Sequence, residues 1–175
     1  MISFSSLMWA TALFFGLIGA LQGWQRQLIG TTGMLLGFFA ILQFDSLLRG
    51  SLYLLLTNEQ IFLLQLCVFA AIVLFAYRNE VVNNAEGRIG RIRNGLLGAA
   101  AGCVNGYFLA GSVWYFLDIN RYPFPQLLSA PTEGSASYLG VGSMPAILLG
   151  GGLTGSGDLL ALTILVLLAI VILIV

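Results

Sequence analysis

Histidine and lysine are both absent from this 175-residue chain. Without histidine the commonest general base, the commonest metal ligand and the usual axial ligand of haem are missing. No Ser-His-Asp or Cys-His set can be assembled, and the reading is of a protein that is not an enzyme and holds no intrinsic cofactor or metal. Charge is scarce as well, at 8% of residues against about 25% in an ordinary soluble domain. So few charges cannot cover a water-facing surface, and the bilayer must serve as solvent for much of it. The formal net charge is zero, which leaves no basic stripe for nucleic acid. The two cysteines, Cys67 and Cys103, sit inside apolar runs and read as small buried hydrophobes rather than a disulfide. The first residues carry no basic region and no small-residue cleavage site follows the first apolar run, so that run reads as a retained span, not a signal peptide.

What the chain has instead is long apolar runs, 59% of its residues being hydrophobic. A helical span needs about 20 mainly apolar residues, and runs of this length without alternation are helices, not strands. The expected fold is an all-α polytopic membrane bundle of about five spans, at 4–21, 28–48, 61–77, 96–117 and 158–175. The first four form a glycine-rich core. The 52–56 run is too short to cross alone; it extends the second span or lies at the interface. With five spans, the 22–27 turn and the 78–95 loop share one side and hold Arg26, Arg78, Arg88, Arg91 and Arg93, whereas the other side holds Arg49 and Arg121. The positive-inside rule then puts the N-terminus outside and the C-terminus in the cytoplasm. Arg88, Arg91 and Arg93 are also candidates for contact with anionic headgroups or a partner, beside the plainer reading as the orientation signal alone.

The spans differ in character. Gly98, Gly102 and Gly106 recur every four residues and share one helix face, which lets another helix approach closely. Gly16, Gly19 and Gly23 repeat the idea in the first span, and Gly30, Gly33 and Gly37 in the second, so these three helices are expected to form the packed centre. Asn105, on the glycine face, is expected to hydrogen-bond to a neighbouring helix, with ligand contact as the other reading. The last run, all aliphatic but for Thr163, suits a lipid-facing helix or a subunit contact. It is barely long enough to cross: either it stands nearly upright or the chain continues. The 118–157 segment holds all four prolines and ends in the glycine cluster 150–157, which argues against regular helix there. It is nevertheless apolar, and three readings stay open: a loop on the membrane interface, a re-entrant segment, or a docking surface. The GGGLTGSGD run is no phosphate loop, since it lacks the Walker lysine and follows no strand. All seven acids lie at span ends or in loops, which speaks against a proton path; Asp45, nearest the membrane, reads as a helix-end residue reaching for water.

Two stretches, GLIGALQGWQRQLIGTTGMLLGFFA at 16–40 and GRIGRIRNGLLGAAAGCVNGYFLAGSVWYFLD at 87–118, resemble the colicin V production protein family of bacterial inner-membrane proteins. The turn matches at Gly23, the aromatic Trp24 and Arg26, with Gln22 in place of an Arg and Gln27 in place of a Glu. The Gly98, Gly102, Gly106 ladder matches too, with Asn105 where an Arg is often found. The resemblance covers about half the chain, and the fifth span lies outside the family's four-span core. It implies an inner-membrane protein with an envelope-maintenance or transport-related role and brings no catalytic residues; the expected partners are membrane lipids and either other membrane subunits or a second copy. The alternative is an accessory subunit of a respiratory or photosynthetic complex, in contact with a quinone, carotenoid or other pigment. Trp9, Phe14, Phe15, Phe38, Phe39 and Phe69 could pack on such a group or, more plainly, on lipid and one another.

Overall fold

A computed structural model describes residues 3–78, 88–126, 128–150 and 158–174. Among these residues there are helices and turns but no strand. The helices are α1 (Phe4–Gln22), α2 (Trp24–Arg49), α3 (Asn58–Tyr77), α4 (Arg88–Ile119), α5 (Ala136–Gly140), α6 (Pro145–Gly150) and α7 (Asp158–Ile174). The first four are long and apolar enough to cross a membrane. The last apolar run forms a shorter helix of 17 residues.

Local chemistry explains several boundaries that the apolar runs miss. α1 and α2 are separated by Gly23 alone, whose φ of +85° is a conformation that L side chains rarely adopt; the expected 22–27 turn is therefore one residue, and Trp24 and Arg26 are already helical. α3 starts at Asn58 because Thr57 and Gln60 form a capping box, each side chain bonding the other's backbone N–H. α4 begins about two turns before the expected span, so Arg91 and Arg93 lie on its exposed first turns and not in a loop. Its 32 residues rise about 48 Å, more than the hydrocarbon core of about 30 Å. Residues 79–87 of the expected basic loop, the Arg88 side chain and the 151–157 part of the glycine cluster lie outside the described residues. The proline-rich segment is not free of helix as expected. Ser135 caps α5, and Pro145 opens α6, the helix position at which its missing N–H costs nothing.

The packing corrects the expected centre. α1 runs antiparallel against α4, with Gly16, Gly19 and Gly23 meeting Cys103, Gly98, Gly102 and Asn94. The glycines of α2 face away from that pair: Gly30, Gly33 and Gly37 lie against Tyr77, Ala76 and Ile72 of α3. α2 reaches α4 through larger groups, in an aromatic layer where Phe38 and Phe69 meet Tyr115 and Phe116 at centroid separations of 5.5 to 6.2 Å. Such pairs add to the gain from burial alone. The centre of the bundle is thus large and aromatic, and the glycines serve two separate helix pairs at its flanks. Cys67, expected to be buried, is exposed on α3, while Cys103 is half-buried against Gly16; position 67 falls on the side of α3 turned away from α2. α7 packs through Leu160 and Ile164 and leaves Leu159, Leu162, Leu165 and Leu173 exposed.

Candidate functional site

Two clusters of buried polar side chains link the long helices. In the one nearer the end that carries the Gly23 turn, Asn105 is fully buried. Its amide Nδ2 lies within hydrogen-bond distance of the Gln27 carbonyl (2.9 Å), Gln27 Oε1 (2.8 Å) and the Tyr77 hydroxyl (2.8 Å). Thr31 Oγ1 reaches both Asn105 Oδ1 and the Gln27 carbonyl. The Tyr77 hydroxyl donates to Gln27 Oε1, and Gln27 Nε2 donates onward to Gln22. Asn105 therefore joins α4 to α2 and α3. It stands at the edge of the glycine face, about 20° from Gly98 and about 100° from Gly106 round the helix, and turns to α2 and α3 while the ladder meets α1. Two further contacts close this end. Asn94 Oδ1 accepts from the Trp24 N–H and so caps α2, and Arg26 donates to the Tyr77 carbonyl at the end of α3, where a cation suits the helix dipole. The Gly23, Trp24 and Arg26 turn singled out in the sequence is thus a joint between α2, α3 and α4. Sequence reasoning missed Asn94; its signal was an amide one turn before the glycine ladder.

The opposite end holds a second cluster that sequence reasoning did not foresee. Asp45, expected to reach for water, is buried and accepts a hydrogen bond of 3.0 Å from Gln65 Nε2. Gln65 Oε1 in turn accepts from Asn120 Nδ2 at 2.6 Å, and the same Asn120 group also reaches the Phe116 carbonyl. Asn120 is 1% exposed, and its Oδ1 has no hydrogen-bond partner among the described residues. The three side chains tie α2, α3 and the end of α4 together. Gln65→Leu removes the donor to Asp45 and the acceptor for Asn120 at once. It is expected to cost about 2 kcal/mol, within the range for bonds to a carboxylate and for stranded buried groups. A detergent-unfolding titration followed by circular dichroism reads that loss; a change under about 0.5 kcal/mol, the range of ordinary surface substitutions, would show that the chain of bonds is incidental.

Beyond α4 the backbone turns through two consecutive left-handed residues, Arg121 (φ 59°) and Tyr122 (φ 52°). Each costs about 1–2 kcal/mol in an L-residue. The turn is held by the Tyr122 N–H on the Leu117 carbonyl (2.8 Å) and the Arg121 N–H on the Asp118 carbonyl (2.9 Å). It buries the Tyr122 ring beside Phe4, which stacks on Trp114, and Trp114 Nε1 donates to the Tyr122 hydroxyl at 3.1 Å. Burial pushes the Tyr122 phenol up to about 12; the bond from Trp114 lowers it and the Asp118 carboxylate raises it. Tyr122 is therefore a neutral phenol throughout the physiological range. A bond from the Phe4 N–H to Ser137 Oγ ties the start of α1 to α5 over the same place.

Two cavities accompany these clusters. One of about 480 Å³ lies between α2, α4 and α7, with an almost wholly apolar wall that includes Leu35, Val104, Phe108 and Val166. The other, about 380 Å³, lies between the end of α4 and the 130–141 segment, lined by Asp118, Tyr122, Pro131 and Tyr138. Of the aromatics singled out in the sequence, Trp9 and Phe14 face outward, while Phe38 and Phe69 are core. Among the described residues no three His, Cys, Asp or Glu side chains come together as a metal site would need. Compared with family models, curated proteins and solved structures, the chain matches none of them.

Proposed function

We propose that this chain is a divergent relative of the colicin V production proteins, a non-enzymatic multi-pass protein of a bacterial inner membrane with a structural, envelope-maintenance or transport-related role. The observation that carries the reading is where the polar groups go. Buried polar side chains of the long helices, among them Gln27, Asp45, Gln65 and Asn105, bond across helix interfaces, and large apolar side chains such as Leu13, Leu17, Leu74 and Phe75 face outward. A helix bundle with its polar side inward and its apolar side outward suits lipid as solvent. In this reading α7 is a fifth span. Its 17 residues rise about 26 Å, so it stands nearly upright or thins the bilayer locally. The arginine balance then sets the N-terminus outside and the C-terminus in the cytoplasm. Membrane lipids, a second copy or other membrane subunits cover the exposed faces, and Arg91 and Arg93 at the start of α4 meet anionic headgroups.

A second reading, an accessory subunit of a respiratory or photosynthetic complex, is favoured by the apolar cavity beside α7, which has room for the tail of a quinone, a carotenoid or a lipid. Extraction of the chain from native membranes in mild detergent separates the two. A homo-oligomer, or the chain alone, is expected; a large complex co-purifying in fixed ratio, with pigment or quinone, would establish the second reading instead. Epitope tags at the two ends test the topology. In intact spheroplasts the N-terminal tag is expected to bind an impermeant antibody and the C-terminal tag to be shielded, whereas equal access at both ends removes the five-span arrangement.

A further inference from the structure

The cavity at the end of α4 has a composition that points to one chemical class. Asp118 supplies a carboxylate, and Tyr122 and Tyr138 supply aromatic rings, with Ala130, Pro131 and Val141 completing the wall. Among the described residues none of the lining side chains is basic. An anion would meet a carboxylate and two aromatic side chains, whereas the Asp118 carboxylate, held in place by the Tyr122 hydroxyl, offers a cationic ligand a further acceptor. An organic ammonium ion satisfies both features, because it pairs with the carboxylate while its alkyl substituents rest on the rings. At about 380 Å³ the cavity falls within the usual size of small-molecule sites.

The place is also built. Two left-handed residues in succession put Tyr122 at the wall, and strain of this kind persists only where its surroundings over-determine it. The Tyr122 ring is then fixed from behind by Trp114 and Phe4. Tyr138, also in the wall, is about half exposed, so a ligand can reach it from outside. The site follows directly on the apolar stretch of α4, the depth at which headgroups lie beside a spanning helix and at which tyrosine and tryptophan gather.

We propose that this cavity binds an organic ammonium ion of the ethanolamine or choline type, held by the Asp118 carboxylate and the rings of Tyr122 and Tyr138. Such a group comes either from a phospholipid headgroup or from a free amine.

The full chain, in nanodiscs of phosphatidylglycerol alone, is titrated with choline, with ethanolamine and with 3,3-dimethylbutanol, the uncharged counterpart of choline, by saturation-transfer NMR. The cations are expected to compete for one site and the alcohol to bind about tenfold more weakly or not at all. Asp118→Asn and Tyr138→Leu are each expected to weaken the cations about tenfold, whereas Tyr138→Phe, which keeps the ring, stays within about twofold. Because Tyr138 is half exposed, its variants report on binding even if Asp118→Asn folds poorly. Native mass spectrometry from mixed bilayers then assigns the source. Retention of phosphatidylethanolamine over phosphatidylglycerol, lost in Asp118→Asn and Tyr138→Leu, identifies the headgroup; binding of the free cation without lipid preference identifies a soluble amine. Equal binding of the alcohol and the cations, absence of cation binding, or wild-type affinity in Tyr138→Leu would each overturn the proposal.

Discussion

Gly102→Leu is expected to leave no folded protein, and Gly102→Ala to lower the unfolding free energy by about 3 kcal/mol, the upper part of the usual range for overpacking. A methyl group at this position would fall inside van der Waals contact with the Phe15 carbonyl oxygen and 3.0 Å from the Gly19 Cα. Both are backbone, so no rotamer change makes room and α1 must move off α4. The same holds in the other direction, where a Cβ at Gly19 would meet the Gly98 carbonyl and lie 2.9 Å from the Gly102 Cα. In a membrane no hydrophobic effect draws the helices back together; what holds them is close packing itself. Separating them by the width of a methyl therefore loses the contact along the whole ladder, from Gly98 to Gly106. Gly142→Ala serves as the control, since a Cβ there meets nothing within 4 Å, and its effect is expected to stay within about 0.5 kcal/mol. Unfolding by sodium dodecyl sulfate in mixed micelles, followed by tryptophan fluorescence, compares the variants. Equal midpoints for Gly102→Ala and Gly142→Ala would remove the ladder from the account of α1–α4 packing.

Why some of this was legible in the sequence and some was not can be traced to particular residues. Span positions follow from apolar length alone, and the bundle's first four helices lie within a few residues of them except at the start of α4. There Arg88 to Asn94 look like a loop by charge, yet arginine is a good helix former and the helix already starts at Arg88. The glycine ladders were visible because a three- or four-residue spacing marks one face. A repeat says that a face is thin, however, and not which helix meets it. Gly30, Gly33 and Gly37 found α3 because Ala76 and Ile72 present a complementary surface there, a fact spread over some forty residues of sequence. Asp45 was misread for the same reason. A carboxylate four residues before the end of a helix can turn to water or inward, and the choice rests on Gln65 and Asn120, two amides that come into reach only after α3 and α4 are in place. Thr57 and Gln60 were different: their spacing is a local signature of a helix start and could have been read directly. The cation-class cavity lay beyond reach, because its walls come from the end of α4 and from a segment whose prolines spoke only against helix.

Asn105→Asp is expected to destabilise the protein more than Asn105→Leu, although aspartate is the closer match in shape. The amide nitrogen of Asn105 faces the Gln27 carbonyl, Gln27 Oε1 and the Tyr77 hydroxyl. An aspartate would put an oxygen there, against two oxygens that have no proton to offer, in a position with no access to water. Leucine removes the donor without adding a charge, and part of the cluster survives it: Tyr77 still donates to Gln27 Oε1, and Thr31 to the Gln27 carbonyl. Interhelical bonds in membranes average only about 0.6 kcal/mol, but several are lost together and polar groups are stranded at about 1–3 kcal/mol each. The expected costs are thus about 2 kcal/mol for leucine and about 3 kcal/mol or more for aspartate. A double-mutant cycle with Tyr77→Phe isolates the bond between the two residues, with an expected coupling of about 1 kcal/mol. The same measurements decide between the two roles that the sequence left open for this residue. If Asn105 joins α2, α3 and α4, both substitutions shift the unfolding midpoint of the purified, ligand-free protein in the stated order. If it serves a ligand instead, that midpoint stays unchanged for leucine, and the coupling to Tyr77 vanishes with it.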